Sequence, residues 1–290
     1  MKLDETRVAI RERSWLEILD LALSVCAVYW RPICVTFFLG ALPLAFANDV
    51  LISRLTDFDL EEEPAEEHIA FLCINVALVF MQAPLASVFT TSLLGRVMFL
   101  ESPDLPSLLR QVWDMAPRWL FSQGLLRGSL LSLLAVAFLP VDNRALIFLV
   151  LTILGLYAGL LRCVWPFLNE VILLERPGKR DSISLSERMR KLHEVEPGDL
   201  FARFLASGLF ATLVSLAIVQ LLWFVSWVVD GGISWSSSMT RVGVPVALWI
   251  TAAYFSVVRF LGYLDRRTRL EGWSVSLQLR AESQRLTKQV

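Results

Sequence analysis

Six apolar runs, each about the length of a bilayer crossing, leave this chain few ways to fold. A helix that spans the hydrocarbon core needs about 20 consecutive, mainly apolar residues. Residues 33–52, 69–94, 119–139, 145–165, 200–229 and 242–263 meet that requirement. The runs are apolar all round rather than along one stripe, unlike the half-buried helices of a soluble domain. The expected fold is therefore all-α: a polytopic membrane helix bundle of six transmembrane helices, with amphipathic helices on its cytoplasmic face. Residues 1–290 form one integral membrane domain, and 264–290 are its cytoplasmic tail. The fifth run is long enough that it must tilt or protrude. Composition agrees, with 56% hydrophobic residues, 19% charged residues and a mean hydropathy of +0.58. The longest polar gap between the middle runs, about 175–199, is too short for a soluble domain. No cleaved signal peptide is expected, because Asp4, Glu5 and Glu12 interleave with the arginines and no short apolar region precedes an A-x-A-like site.

Orientation follows from lysine and arginine, which accumulate on the cytoplasmic side. With the N-terminus inside, 24 of the 27 basic residues fall in cytoplasmic segments or their flanks. Only Arg54, Arg144 and Arg241 fall outside. The expected topology has both termini in the cytoplasm and the bundle in the cell inner membrane. The first external loop carries an acidic run from Asp57 to Glu67. It lacks the glycine and alternating spacing of a calcium loop and reads as a solvated acidic loop.

Several classes are excluded. Near-equal counts of 27 basic and 28 acidic residues argue against a nucleic-acid binder. Cys26, Cys34, Cys73 and Cys163 have no CxxC spacing, and with only two histidines no metal site or other cofactor is expected. There is no G-x-S-x-G, no H-E-x-x-H and no aspartate pair inside a span, so no enzyme is expected.

Three cytoplasmic stretches alternate polar and apolar residues at helical spacing, as helices lying on a membrane do. They are residues 15–30, 105–118 and 184–193. The last opens on Ser184-Leu185-Ser186-Glu187, a capping box. Each precedes two runs, so the chain reads as three copies of one unit: surface helix, span, external turn, span.

Ser14-Trp15-Leu16-Glu17-Ile18-Leu19-Asp20, leading into Tyr29-Trp30-Arg31, and Ala83-Pro84-Leu85 with Leu94-Gly95-Arg96, resemble the glycerophosphoryl diester phosphodiesterase membrane-domain family. The sixth run closes on Tyr263-Leu264-Asp265-Arg266-Arg267-Thr268-Arg269-Leu270-Glu271-Gly272. This is similar to the Y-x-D-x-R-x-R-x-E-G ending of related bacterial membrane proteins of unknown function. The resemblance covers most of the chain, although no Ser-Trp pair precedes the fifth run. It implies a membrane module without the catalytic barrel, acting beside other proteins. His68 and His193 lie on opposite sides of the bilayer in this topology and cannot form one active centre.

Ionisable groups inside spans are functional candidates by default. Arg127 opens the third run and is expected to snorkel to the inner headgroups. Arg162, Asn169 and Glu170 lie near the inner end of the fourth run, and Arg259 and Asp265 near that of the sixth. Interhelical pairing accounts for them; the alternative is a polar inner-leaflet pocket for an anionic lipid head or small anion. Gln82, Gln123 and Gln220 are expected to bond between helices. Pro84 can kink the second run, but no run shows the paired Gly and Pro of a substrate-binding half-helix. Asp265 and Glu271 are expected to pair with Arg162, Arg176 or Arg259. The candidate ligand or partner platform is thus Arg162, Glu170, Arg259, Asp265, Arg266, Arg269 and Glu271. The expected function is a non-catalytic scaffold or accessory subunit of a membrane complex, or alternatively a transporter or channel for a small solute or lipid. Its expected partners are membrane lipids and other membrane or cytoplasmic proteins, and not nucleic acid.

Overall fold

The computed structural model describes residues 12–55, 65–98, 104–140, 143–175, 184–194, 197–230 and 238–270. Every element among them is helical. The acidic run from Asp57 to Glu63, together with Arg176, Glu271 and Gly272, lies outside the described residues.

Helix α1 (Trp15–Val28) starts on a capping box formed by Ser14 and Glu17. The Glu17 N–H donates to Ser14 Oγ at 3.3 Å, and the Ser14 N–H donates to the Glu17 carboxylate at 2.8 Å. Two otherwise unpaired donors are satisfied together. Ile18, Leu19, Ala22 and Val25 are buried at helical spacing, while Leu16 and Leu23 face outward. Helix α2 (Trp30–Leu55) follows after Tyr29 alone, with Pro32 in its first turn, where a missing N–H is tolerated. The surface helix thus ends before Arg31-Pro32 rather than at it.

Among the described residues five helical stretches are long and apolar enough to cross a membrane: Trp30–Arg54, His68–Ala86, Ala145–Val164, Gly198–Val229 and Met239–Leu270. A sixth is reached only if a bent pair, Ala116–Leu126 and Ser129–Phe138, is one crossing. The two halves meet at 56°. The third run is therefore two bent helical segments rather than one straight helix, although it carries no paired Gly and Pro. Helix α5 (Leu105–Asp114) gives way at Met115 to the single turn α6 (Ala116–Trp119), which widens into a π-helical stretch, Leu120–Leu126. That stretch stops where Gly128 takes φ 76° and donates its N–H to the Leu125 carbonyl at 3.1 Å. A left-handed glycine ends a helix at no steric cost, and α7 (Ser129–Phe138) sets off in a new direction.

Two further runs are interrupted. Helix α3 (Ala65–Ala86) gives way at Ser87 to α4 (Val88–Val97), three residues after Pro84. Helix α8 (Arg144–Val164) stops at Trp165, whose φ −126° and ψ 67° are non-helical. The residue before a proline is kept out of the helical region, and Pro166 follows. The chain resumes as α9 (Leu168–Glu170) and a π-helical stretch, Val171–Glu175.

After α10 (Leu185–Glu194), α11 (Pro197–Asp230) runs 34 residues, about 51 Å at 1.5 Å per residue. That exceeds a hydrocarbon core of about 30 Å, as the fifth run requires. Helix α12 (Val244–Leu270), entered through a π-helical stretch Met239–Gly243, packs against α1, α2, α3, α4 and α11. It extends to Leu270, so residues 264–270 belong to the bundle rather than to a tail. A side chain at Gly40 would run into the Ala86 carbonyl, so this glycine lets α2 close on the break after α3. Asn48 and Gln82 join α2 to α3 through two reciprocal amide bonds of 2.8 Å each, as expected for Gln82.

The bundle has two ends. At one, the Arg13 N–H donates to Asp265 Oδ1 at 2.8 Å, joining the start of the described chain to the close of α12. At the other, His68 and Thr240 lie 3.3 Å apart, and Arg241 meets Asp49 at 3.2 Å. The order of short amphipathic helix and then two long apolar segments recurs three times, led by α1, α5 and α10.

Candidate functional site

The three interruptions converge: at the breaks after α3 and α8, arginine and amide side chains take up freed backbone carbonyls, and one of these side chains, Arg127, sits beside the bend at Gly128. Pro84 has no N–H, so the Phe80 carbonyl four residues earlier loses its helical partner. Arg162 donates to that carbonyl, and its guanidinium lies 3.9 Å from the centre of the Phe80 ring. At the second break, Arg127 donates to the carbonyl of Trp165, just beyond the end of α8. A cation at a helix C-terminus meets carbonyls with no intrahelical donor. Arg127 also reaches Gln123 Oε1 at 3.4 Å. At the first break again, Asn169 donates to the Pro84 carbonyl at 2.6 Å, and Arg259 donates to Ser87 Oγ at 2.9 Å. Arg259 Nε meets Glu170 Oε1 at 2.7 Å, and the Glu170 side chain is 0% exposed.

These groups surround a partly open cavity of about 210 Å³. A single water needs only about 10–15 Å³, so the space admits a polyatomic group. Arg127, Arg162, Arg203 and Arg259 contribute to the wall, and among the described residues no carboxylate does. Arg203, on α11, is held by Asp199 at 2.7 Å and by Asp265 at 3.3 Å. Arg259 has Glu170. Arg127 and Arg162 have no carboxylate within 4 Å among the described residues, and the Nε of each is buried without a partner. Ser207 apart, the remaining wall is mainly apolar: Trp15 and Ile18 from α1, Leu200 and Phe204 from α11, and Phe167 and Val258 among others.

This changes the expected roles. Arg127 does not snorkel: it is 1% exposed, because the bend at Gly128 turns it into the bundle instead of toward headgroups. The candidate platform divides in two. Arg162 and Arg259 line the cavity, and Glu170 stands behind them, paired with Arg259. Asp265 and Arg269 belong to an ion network at the same end of the bundle. Asp265 is as buried as its charge density suggested, yet its partners are Arg203, Arg269 and the Arg13 backbone rather than Arg162 or Arg259. The packing of α11 against α12 sets those partners. Arg266 is buried and donates to the Leu192 carbonyl at 3.1 Å, docking α10. Beside it, Glu175 receives Arg188 at 2.5 Å and the Tyr263 hydroxyl at 2.5 Å.

Arg203 was missed as a site residue because it reads as an ordinary positive flank of the fifth run. The available signals were Pro84 four residues after Phe80, Trp165 before Pro166, and Arg127 before Gly128, each a cation or carbonyl beside a helix breaker. Among the described residues no three His, Cys, Asp or Glu side chains are placed to hold a metal ion. Fold and cavity together define a multi-pass helical protein of membrane type with a buried guanidinium site. Comparison with known protein families, with curated proteins and with solved structures gives no match to this chain.

Proposed function

We propose that this chain is a non-catalytic integral membrane protein that binds an anionic solute or lipid within its bundle, for passage or presentation. The observation that carries this reading is the convergence of four arginines on a cavity with no carboxylate in its wall among the described residues. Interrupted helices support it, since discontinuous helices bring backbone groups and charge to substrates in transporters. Purified, delipidated protein is expected to melt at a higher temperature with inorganic phosphate or an anionic lipid than with equal ionic strength of chloride. Arg162→Gln is expected to remove the response. Identical melting in all three conditions overturns the reading.

The same proposal gives the protein six spans, with the bent third run as one crossing, in a bacterial inner membrane with both termini cytoplasmic. The 24 to 3 distribution of lysine and arginine supports this. So does the meeting of Arg13 with Asp265 at one end, which an even number of crossings requires. Reporter fusions after Gly178 and Val290 are expected to read cytoplasm, and one near Glu62 the exterior. An exterior C-terminus sinks the topology.

A scaffold or accessory role beside other membrane proteins is the second reading. It is favoured by α11, where no residue of the most apolar 18-residue window is fully buried among the described residues. Likeness to the glycerophosphoryl diester phosphodiesterase membrane-domain family belongs to this proposal as well, as a membrane module alone.

A further inference from the structure

We propose that the cavity seats one phosphomonoester lipid, its phosphate on Arg127 and Arg162 and its acyl chain leaving between α1 and α11. This rests on the anion-binding reading above and names the ligand.

Charge sets the head. Arg127, Arg162 and Arg259 share one carboxylate, Glu170, which leaves two positive charges without a counter-ion at the junction of the breaks. Buried guanidiniums are costly unless paired. A phosphomonoester carries about 1.5 to 2 negative charges at neutral pH, whereas a phosphodiester or a carboxylate supplies only one. Its oxygens also accept from several guanidinium forks at once. The guanidiniums of Arg127 and Arg162 line the cavity with no carboxylate of their own among the described residues, and the buried Nε of each has no acceptor.

The walls set the tail. A free inorganic ion prefers polar groups on every side, yet α1 and α11 line the cavity mainly with Trp15, Ile18, Leu200 and Phe204, beside Arg203 and Ser207. An apolar wall against a small hydrated ion gains nothing, while it suits the glycerol backbone and first methylenes of an acyl chain. The seam between α1 and α11 is crossed by Trp15, whose indole N–H donates to Ser207 Oγ at 3.3 Å and whose ring meets Phe210 edge-on at 6.1 Å. Beyond it, Leu205 and Leu209 face outward on α11. A chain passing Trp15 and Ser207 would run directly onto that apolar surface.

The test uses the full chain, delipidated in neutral detergent. Binding is read by native mass spectrometry and by melting temperature, with four probes: short-chain phosphatidic acid, phosphatidylglycerol, phosphatidylcholine and inorganic phosphate. One phosphatidic acid per chain is expected, bound at least tenfold more tightly than each of the others. Phe204→Ala is expected to weaken the lipid and not inorganic phosphate. A phosphatidic acid with a diazirine near the head of its acyl chain is expected to label peptides from 15–28 and 201–210 of the unaltered protein, a readout that does not depend on a variant folding. If inorganic phosphate or phosphatidylglycerol binds as tightly, or labelling falls elsewhere, the lipid assignment is overturned while anion binding stands. If none of the anionic probes binds, both fall.

Discussion

Glu170→Gln is expected to lower the unfolding free energy of the detergent-solubilised protein by about 3–5 kcal/mol, the usual loss when one partner of a buried ion pair is removed. Glutamine keeps the shape and one carbonyl oxygen, so packing is not the cause. What disappears is, among the described residues, the one carboxylate paired with any of the three guanidiniums at the junction of the breaks, through Arg259. Glu170 is fully buried, its Oε1 meets Arg259 Nε at 2.7 Å, and its Oε2 has no hydrogen-bond partner. Without it, Arg127, Arg162 and Arg259 repel one another in a poorly solvated site. Melting of the purified variant measures the effect. Replacing both members, Glu170→Leu with Arg259→Met, is expected to recover most of the loss, because an apolar pair of similar volume often matches a buried ion pair. Unchanged melting of Glu170→Gln would mean that solvent reaches the pair and screens it.

The spans were legible because bilayer thickness imposes a length on apolar runs, and five of the six appear as single long apolar helical segments. The breaks were not legible. A π-helical stretch such as Leu120–Leu126 is built from the same apolar residues as an α-helix, so hydropathy carries no trace of its wider turn. Pro84 was visible as a kink, but the carbonyl it frees became a site only because α8 brings Arg162 against it. Arg127 illustrates the same ambiguity. In a one-dimensional pattern, an arginine at the edge of an apolar run looks the same whether it reaches outward to headgroups or turns inward to a helix end. Gly128 decides the direction. Asp265 was half legible. Opposite charges crowded at a helix end signalled pairing, while the partner depended on where α11 crosses α12, some 60 residues earlier in the chain.

Asp265→Ala is expected to be comparably destabilising, about 3–5 kcal/mol, and to act on a different part of the molecule. The carboxylate is 3% exposed and joins three segments. Oδ1 accepts the Arg13 N–H at 2.8 Å, and Oδ2 accepts from Arg203 on α11 at 3.3 Å and from Arg269 one turn along α12 at 3.2 Å. Arg269 in turn donates to the Arg13 carbonyl at 2.9 Å, so the approach to α1 is held on both its N–H and its C=O. Alanine removes the acceptor for all three donors at once, and unmade bonds to buried donors cost more than the bonds are worth when made. Asp265→Asn keeps one oxygen for the Arg13 N–H and is expected to lose less than the alanine variant. A swap of Asp265→Arg with Arg203→Asp is expected to restore part of the melting temperature, since the α11 to α12 link survives reversed. Limited proteolysis gives the local readout: cleavage after Arg13 is expected to accelerate in Asp265→Ala and not in Glu170→Gln. If Asp265→Ala melts like the unaltered protein and Arg13 stays protected, the network is a solvated helix end, and α1 is held by its apolar face on α12 alone.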